Sequence, residues 1–287
     1  MCIRDRHQTE TQATTESVQN ARVSAALVDE HFRQSTAFLE SIATRRTLAE
    51  AWTKGNLDLV AWHLQSARSL CSDCSFLGIY DLTGTMRAID PPQPALLGKN
   101  FANRDWYKGW SREQRPYVSE MYRSAIPPYR LIVAIAVPVR DEKGNPVAIL
   151  VSADALDVLS QRLLATKLEH GWTIRLVDQN GQMPALGSPA IGNMNPEIAA
   201  VLDGDKTERK FQTWPGDTAG ARRDGEARFT SYEPAGQSGW GVLVEQPANV
   251  LRQGLWEVET VSYTHLDVYK RQNRNRLADY LVLIPTK

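Results

Sequence analysis

The chain has 287 residues, 42% of them hydrophobic and 23% charged, which is enough for one large domain or two ordinary ones. Lysine plus arginine and aspartate plus glutamate both number 33, so no general attraction to nucleic acid or to an anionic membrane is indicated. The longest strongly apolar run, Leu131 to Val139, contains Pro138 and is far short of a membrane span, and no signal-peptide pattern opens the chain.

Both ends resemble read-through of a transposase-type sequencing adaptor. The string ATG TGT ATA AGA GAC AG encodes residues 1–6, and the same string one frame over encodes Asp267 to Gln272. Its reverse complement encodes Val261 to Leu266, so one palindromic segment accounts for 261–272. On this reading both natural ends are missing, and 273–287 is of uncertain, foreign or native, origin.

From His7 to Lys54 there is neither glycine nor proline. Val18, Ala21, Ala25, Val28, Phe32, Ser35, Leu39 and Ile42 recur in steps of three and four, one face of an amphipathic helix that ends at Gly55. Unbroken, it would reach roughly 70 Å. It suits a packing helix, a dimer seam or a stalk rising from a membrane. A second helix, Leu57 to Leu70, carries Leu59, Val60, His63, Leu64 and Ala67 on one side. Next comes Cys71-Ser-Asp-Cys74, which suits a local disulfide or two structural thiols better than a redox or zinc site, since no further ligands stand at metal spacing.

Phe76 to Met86 reads as a hairpin turning at Thr83-Gly84, and Thr173 to Met183 repeats it with an Asn-Gly turn. Both carry Asp-x-x-Gly-x-Met, and each is followed at a similar distance by a closing strand, Ala148 to Val151 and Gly241 to Val244. We read a duplicated module: a helical lead of 7–74, copy one over 75–155, a connecting helix in 156–171 and copy two over 172–258. Leu156 to Leu168 is the connecting helix. Asn195-Pro196 begins a short helix through Leu202, and Thr213 to Glu226 is expected to be a long exposed loop.

Within copy one, Phe101-Ala-Asn-Arg104-Asp105-Trp106-Tyr107 precedes Tyr117 to Tyr122 and Ala153-Asp154. Arginine offers a planar fork to a carboxylate, aspartate an anion to an ammonium, and aromatic rings offer walls and cation–π contact. Such a set suits a small zwitterion. In an extended segment Arg104 and Trp106 share a face while Tyr107 turns to the core; in a helix that parity argument fails. Tyr122 and Ser124 share a strand face. Asp154 needs a partner, either a ligand ammonium or a helix N-cap at Leu156. Arg104 has an alternative as a surface partner of Asp105 or Glu120. Tyr80, Trp110 and Tyr129 are further candidate walls.

Taken together, Arg104-Asp-Trp106-Tyr107, Pro116 to Glu120, Val133 to Asp141, Ser152-Ala-Asp154 and Gly239 to Pro247 resemble the double Cache sensor domain of bacterial transmembrane receptors. The resemblance covers roughly 12–258. It implies an α/β (α+β) fold, a long N-terminal helix followed by two tandem PAS-like modules with antiparallel sheets. It also implies an inner-membrane receptor with this part in the periplasm or outside the cell. The membrane-distal module, 75–155, would bind a small carboxylate-bearing molecule, conceivably an amino acid, and the proximal module would pass the signal on. Arg104 and Trp106 match positions that hold the ligand carboxylate, and Tyr122 and Asp154 match positions that meet the ammonium. Two residues after Tyr122 those members carry aspartate, where this chain has Ser124, which weakens the expectation of ammonium binding. A homodimer through the N-terminal helix, anchoring by missing membrane segments, and no cofactor, metal or nucleic acid complete the expectation. The alternatives are a freely soluble periplasmic binding protein and, less well supported, an enzyme built on Asp81 and Asp154.

Overall fold

The computed structural model describes residues 2–71, 73–165, 172–184, 191–193, 211–216 and 225–247, with side chains from residue 15 onward except 164–165, 193, 211–216, 225–229 and 247. Helix α1 runs over Cys2–Ala43, followed by α2 (Arg46–Thr53) and α3 (Leu57–Arg68). The expected single helix to Gly55 is thus broken at Thr44-Arg45. The Thr44 hydroxyl donates back to the Glu40 carbonyl at 2.9 Å, and Arg45 is extended (φ −65°, ψ 115°). A threonine competing for backbone groups ends the run without glycine or proline. The 42 residues of α1 still span about 63 Å.

The sheet of copy one has the order β2-β1-β5-β4-β3, all antiparallel, from β1 (Cys74–Tyr80), β2 (Met86–Asp90), β3 (Tyr117–Arg123), β4 (Leu131–Arg140) and β5 (Pro146–Ala155). Copy two has β6 (Thr173–Val177), β7 (Gln182–Pro184), β8 (Ile191–Asn193), β9 (Phe211–Gly216), β10 (Gly225–Pro234) and β11 (Gly241–Pro247). Its larger sheet is ordered β6-β11-β10-β9, the order of β1-β5-β4-β3 over again. The expected second hairpin is only half formed. Asp178 N–H donates to the Gln182 carbonyl at 2.9 Å, but β7 then pairs with β8 and not with β6. The expected loop from Thr213 is also corrected, because Thr213–Gly216 lie in β9, paired with β10.

The shared Asp-x-x-Gly motif proves to be a turn device. Asp81 accepts from the N–H of Thr83 and Thr85 (both 3.0 Å), and Asp178 from Asn180 and Gln182 (both 2.9 Å). Asp141, in the β4–β5 turn of copy one, does the same with Lys143 (2.9 Å) and Asn145 (2.8 Å). Gly84, Gly144 and Gly181 all take positive φ, at 83°, 84° and 74° for residues 144, 84 and 181. A motif that recurs inside one copy marks tight turns; the repeated strand order carries the duplication.

One core joins the two sheets. Ala21, Ala25, Val28, Phe32, Leu39 and Ile42 of α1 are all buried in it, against Val133, Ile135 and Val137 of β4 and Val242 and Val244 of β11. The predicted apolar face of α1 is therefore the one that packs. Trp240, fully buried, stands T-shaped to Phe32 and donates its indole N–H to the Ser119 carbonyl of β3 at 2.8 Å. In α3, Val60, His63, Leu64 and Ala67 are buried as predicted, but Leu59 is exposed. Helix α5 (Leu156–Ala165) packs Leu156, Leu159 and Leu163 between the sheets. The remainder of the predicted Leu156 to Leu168 helix, the predicted helix at Asn195, and 261–287 lie outside the described residues. Cys71 and Cys74 form a disulfide at the exit of α3, and the described residues contain no metal-binding cluster.

Candidate functional site

The second face of the copy-one sheet carries its own core. Alternation along the strands turns Phe76 and Tyr80 of β1 and Ile132 of β4 to this side. Ala134, Ala136 and Ala153 contribute only methyl groups there, which keeps the floor shallow. Over this floor lies α4 (Asp105–Glu113), started by acidic Asp105 in its first turn and ended by Gln114 in the left-handed region (φ 51°). Between sheet and helix opens a narrow cleft, whose empty space, counted out to open solvent, is about 310 Å³.

Its aromatic wall is ordered. The Tyr80 ring lies 4.7 Å from Trp106 and 5.8 Å, edge-on, from Phe101. The Arg104 guanidinium stacks 4.7 Å from the centroid of the Tyr122 ring. Arg104 is half-buried and lines the cleft, and its guanidinium makes no ion pair or hydrogen bond among the described residues. The surface pairing with Asp105 or Glu120 is therefore absent. The Trp106 indole N–H and the Tyr80 and Tyr122 hydroxyls, also on the cleft, likewise have no hydrogen-bond partner among the described residues. Burial pushes both phenols up, while the Arg104 cation pulls the other way, so both stay protonated donors at neutral pH. Four side-chain donors thus converge on a mostly apolar space.

Arg104 and Trp106 do meet at the site, although not by strand parity. Arg104 is the N-cap of α4 in an extended conformation (φ −75°, ψ 148°) and Trp106 is already helical. Both project from the helix start. Tyr122, on β3, joins them as expected.

Three expected site residues go elsewhere. Tyr107 does not line the cleft: its hydroxyl donates to the Leu82 carbonyl at 2.9 Å and its ring covers Gly84, where a Cβ would meet it at 3.0 Å. Ser124 lies beyond the end of β3, so strand parity no longer applies. Its N–H donates to the Arg130 carbonyl (2.9 Å) and its Oγ accepts from Ile126 N–H (3.0 Å). It lines an adjoining hollow of about 460 Å³ with Pro127, Pro128 and Arg130.

Asp154 faces the other way entirely. It is 2% exposed and opposes Val133 on β4, whose side chain belongs to the α1 core. Its Oδ2 lies 3.0 Å from His31 Nε2 and accepts from the Ser35 hydroxyl at 3.0 Å, both on α1, while Oδ1 is buried without a hydrogen-bond partner. Neither the ammonium role nor the N-cap role is found. Alternation places Ala153, not Asp154, on the cleft side.

Of the further candidates, Tyr80 is a wall, Trp110 is core at 3% exposure, and Tyr129 is 52% exposed. Asp81 stands past one end of β1 and Asp154 opposes Cys74 at its other end, so they form no dyad. Met86, Leu96 and Ile126 complete the cleft and were not anticipated; Ile132 and Phe76 were readable only once the sheet face was known. His31 likewise carried no sequence signal, being distant from Asp154 along the chain.

Residues 5–255 are matched by the family model described as Cache domain, dCache_1. The ligand-binding domain of the Pseudomonas fluorescens chemoreceptor CtaA, in complex with L-isoleucine, is similar in structure at a TM-score of 0.66 and 18% identity, covering 86% of this chain and 98% of that one. The ligand-binding domain of the Pseudomonas aeruginosa PAO1 amino acid chemoreceptor PctB, in complex with L-Arg, gives 0.60 at 16% identity over 80% of this chain and 93% of that one. The ligand-binding domain of the Campylobacter jejuni chemoreceptor Tlp3, in complex with L-valine, gives 0.60 at 13% identity over 86% and 97%. No curated protein matches the sequence.

Proposed function

We propose, for a chain that belongs to the Cache domain family, a ligand-sensing role in the extracytoplasmic part of a bacterial membrane receptor. The observation that carries the reading is the free Arg104 guanidinium, stacked on Tyr122 in a cleft walled by aromatic rings, Trp106 among them. A planar fork of donors in a partly dry site suits a carboxylate. The chemoreceptor domains of similar fold hold amino acids, which supports a small carboxylate-bearing ligand here. The Cys71–Cys74 disulfide suits an oxidising compartment. No helix among the described residues is long and apolar enough to cross a membrane.

On this reading 75–155 is the ligand-binding, membrane-distal module, 156–171 the connector and 172–258 the proximal module. Helix α1, which leaves Val23 55% and Leu27 43% exposed opposite its packed face, would form the homodimer seam. The family is a sensor family and the cleft offers donors without a nucleophile or metal cluster among the described residues, which supports binding over catalysis.

Calorimetric titration of the chain with small carboxylates tests the site. Binding that Arg104→Ala abolishes supports it; hits whose affinity Arg104→Ala leaves unchanged would place the ligand elsewhere. A freely soluble periplasmic binding protein is the competing reading, decided by whether the intact gene encodes hydrophobic segments flanking this domain.

A further inference from the structure

The charge inventory of the cleft is one-sided. Its one charged lining residue is Arg104, and its other polar side chains are Tyr80, Trp106 and Tyr122. No carboxylate among the described residues lines it. The adjoining hollow is lined by Arg130, which is paired with Asp157 at 3.6 Å, and by no carboxylate among the described residues. The two groups that would have met an ammonium are spent: Asp154 is on the far face of the sheet holding His31 and Ser35, and position 124 is a serine whose oxygen already accepts the Ile126 N–H. The nearest other carboxylate in sequence, Asp105, is not among the lining residues: it accepts from Glu120 N–H (2.9 Å), the Tyr117 hydroxyl (3.1 Å) and the Gln179 amide (2.9 Å), although its charge still reaches the Tyr122 phenol. An ammonium placed here would lose its water, meet no anion and face Arg104.

We propose that this cleft selects a monocarboxylate with an apolar body and no ammonium, a short branched-chain or arylalkyl acid. The inference rests on the reading of the Arg104 cleft as the ligand site. Arg104 and the Trp106 N–H take the carboxylate, and Phe76, Met86, Leu96 and Ile132 take the hydrocarbon.

The test is calorimetry on the whole chain with matched pairs that differ only in the α-amino group: 4-methylpentanoate against L-leucine, and 3-phenylpropanoate against L-phenylalanine. The expected result is that at least one acid binds, is lost in Arg104→Ala, and binds about tenfold or more tighter than its amino acid, the least that an uncompensated buried charge costs. Ala125→Asp, at the exposed mouth of the cleft, keeps the fold and should reverse the preference by supplying the missing anion. If an amino acid binds more tightly than its acid and Arg104→Ala abolishes it, the selectivity is wrong and the site reading stands. If neither member of either pair binds, or if binding ignores Arg104→Ala, the selectivity and the site reading both fall.

Discussion

The Gln179 side-chain amide donates to Asp105 at 2.9 Å, joining the first residue of the helix that carries Arg104 to the β6–β7 turn of the second copy. Around this bond the edge strand β3 is stitched across the join. Its register slips between Val118 and Met121, and there Glu120 N–H donates to Asp105 while Met121 N–H donates to Asp178 at 3.1 Å. Two backbone donors that the ladder leaves free are thus satisfied by carboxylates, one from each copy. The cleft helix is therefore tied to the β6–β7 turn of copy two directly, and not only through α5.

Asp105→Ala should destabilise the chain by about 2 kcal/mol, because it strands the Glu120 N–H and takes the acceptor from the Tyr117 hydroxyl, while the Gln179 amide keeps the Tyr117 oxygen at 2.9 Å. Gln179→Ala should cost about 1 kcal/mol, since Asp105 keeps its other two donors. Urea denaturation of the two variants gives the order, and equal losses would contradict the network.

Tyr122 presents both a face to Arg104 and a hydroxyl to the cleft. Tyr122→Phe keeps the face and should weaken carboxylate binding about tenfold or more where the hydroxyl donates to the ligand, the loss of one hydrogen bond to a charged acceptor. Tyr122→Leu also removes the ring, worth about 1 kcal/mol more. Titration with one carboxylate across the three proteins separates the two contributions.

Asp154→Asn should leave ligand affinity unchanged and lower stability by about 1 to 3 kcal/mol. The carboxylate is buried between β5 and α1 and takes two bonds there, to His31 and Ser35. A large loss of binding with intact stability would return Asp154 to the site.

His63 is 4% exposed with neither ring nitrogen hydrogen-bonded, and burial holds its pKa below the ordinary value, helped by nearby Arg45. A folded-state pKa below the unfolded one means that the unfolded chain takes the proton first. Its contribution is therefore harmless above about pH 6.5 and costs stability as pH falls below that. His63→Leu should flatten the decline in melting temperature between about pH 7 and pH 5. An unchanged slope would show that His63 is not its source.

The face of α1, the first hairpin and the importance of Arg104 and Trp106 were legible in the sequence because each follows from local rules. A helix repeats every 3.6 residues, a turn needs its glycine, and an arginine among aromatics has few inexpensive uses. Tyr107 and Ser124 were misplaced because one lies in a helix and the other past a strand end, where alternation of two has no meaning. Asp154 failed for a different reason. Leu150, Ser152 and Asp154 and their neighbours Ile149, Val151 and Ala153 are buried alike on both faces of β5. Nothing in the hydrophobic pattern says which face is the cleft.

By itself the sequence determined most of the elements, the family resemblance and the arginine that lines the cleft, all of which are read from short stretches. Only the tertiary structure decided what that arginine meets. Pairing between strands distant in the chain turned Asp154 toward α1 and left the cleft with donors alone. The sign of a pocket depends on which side chains the register turns into it, and register is set by contacts that no local pattern contains.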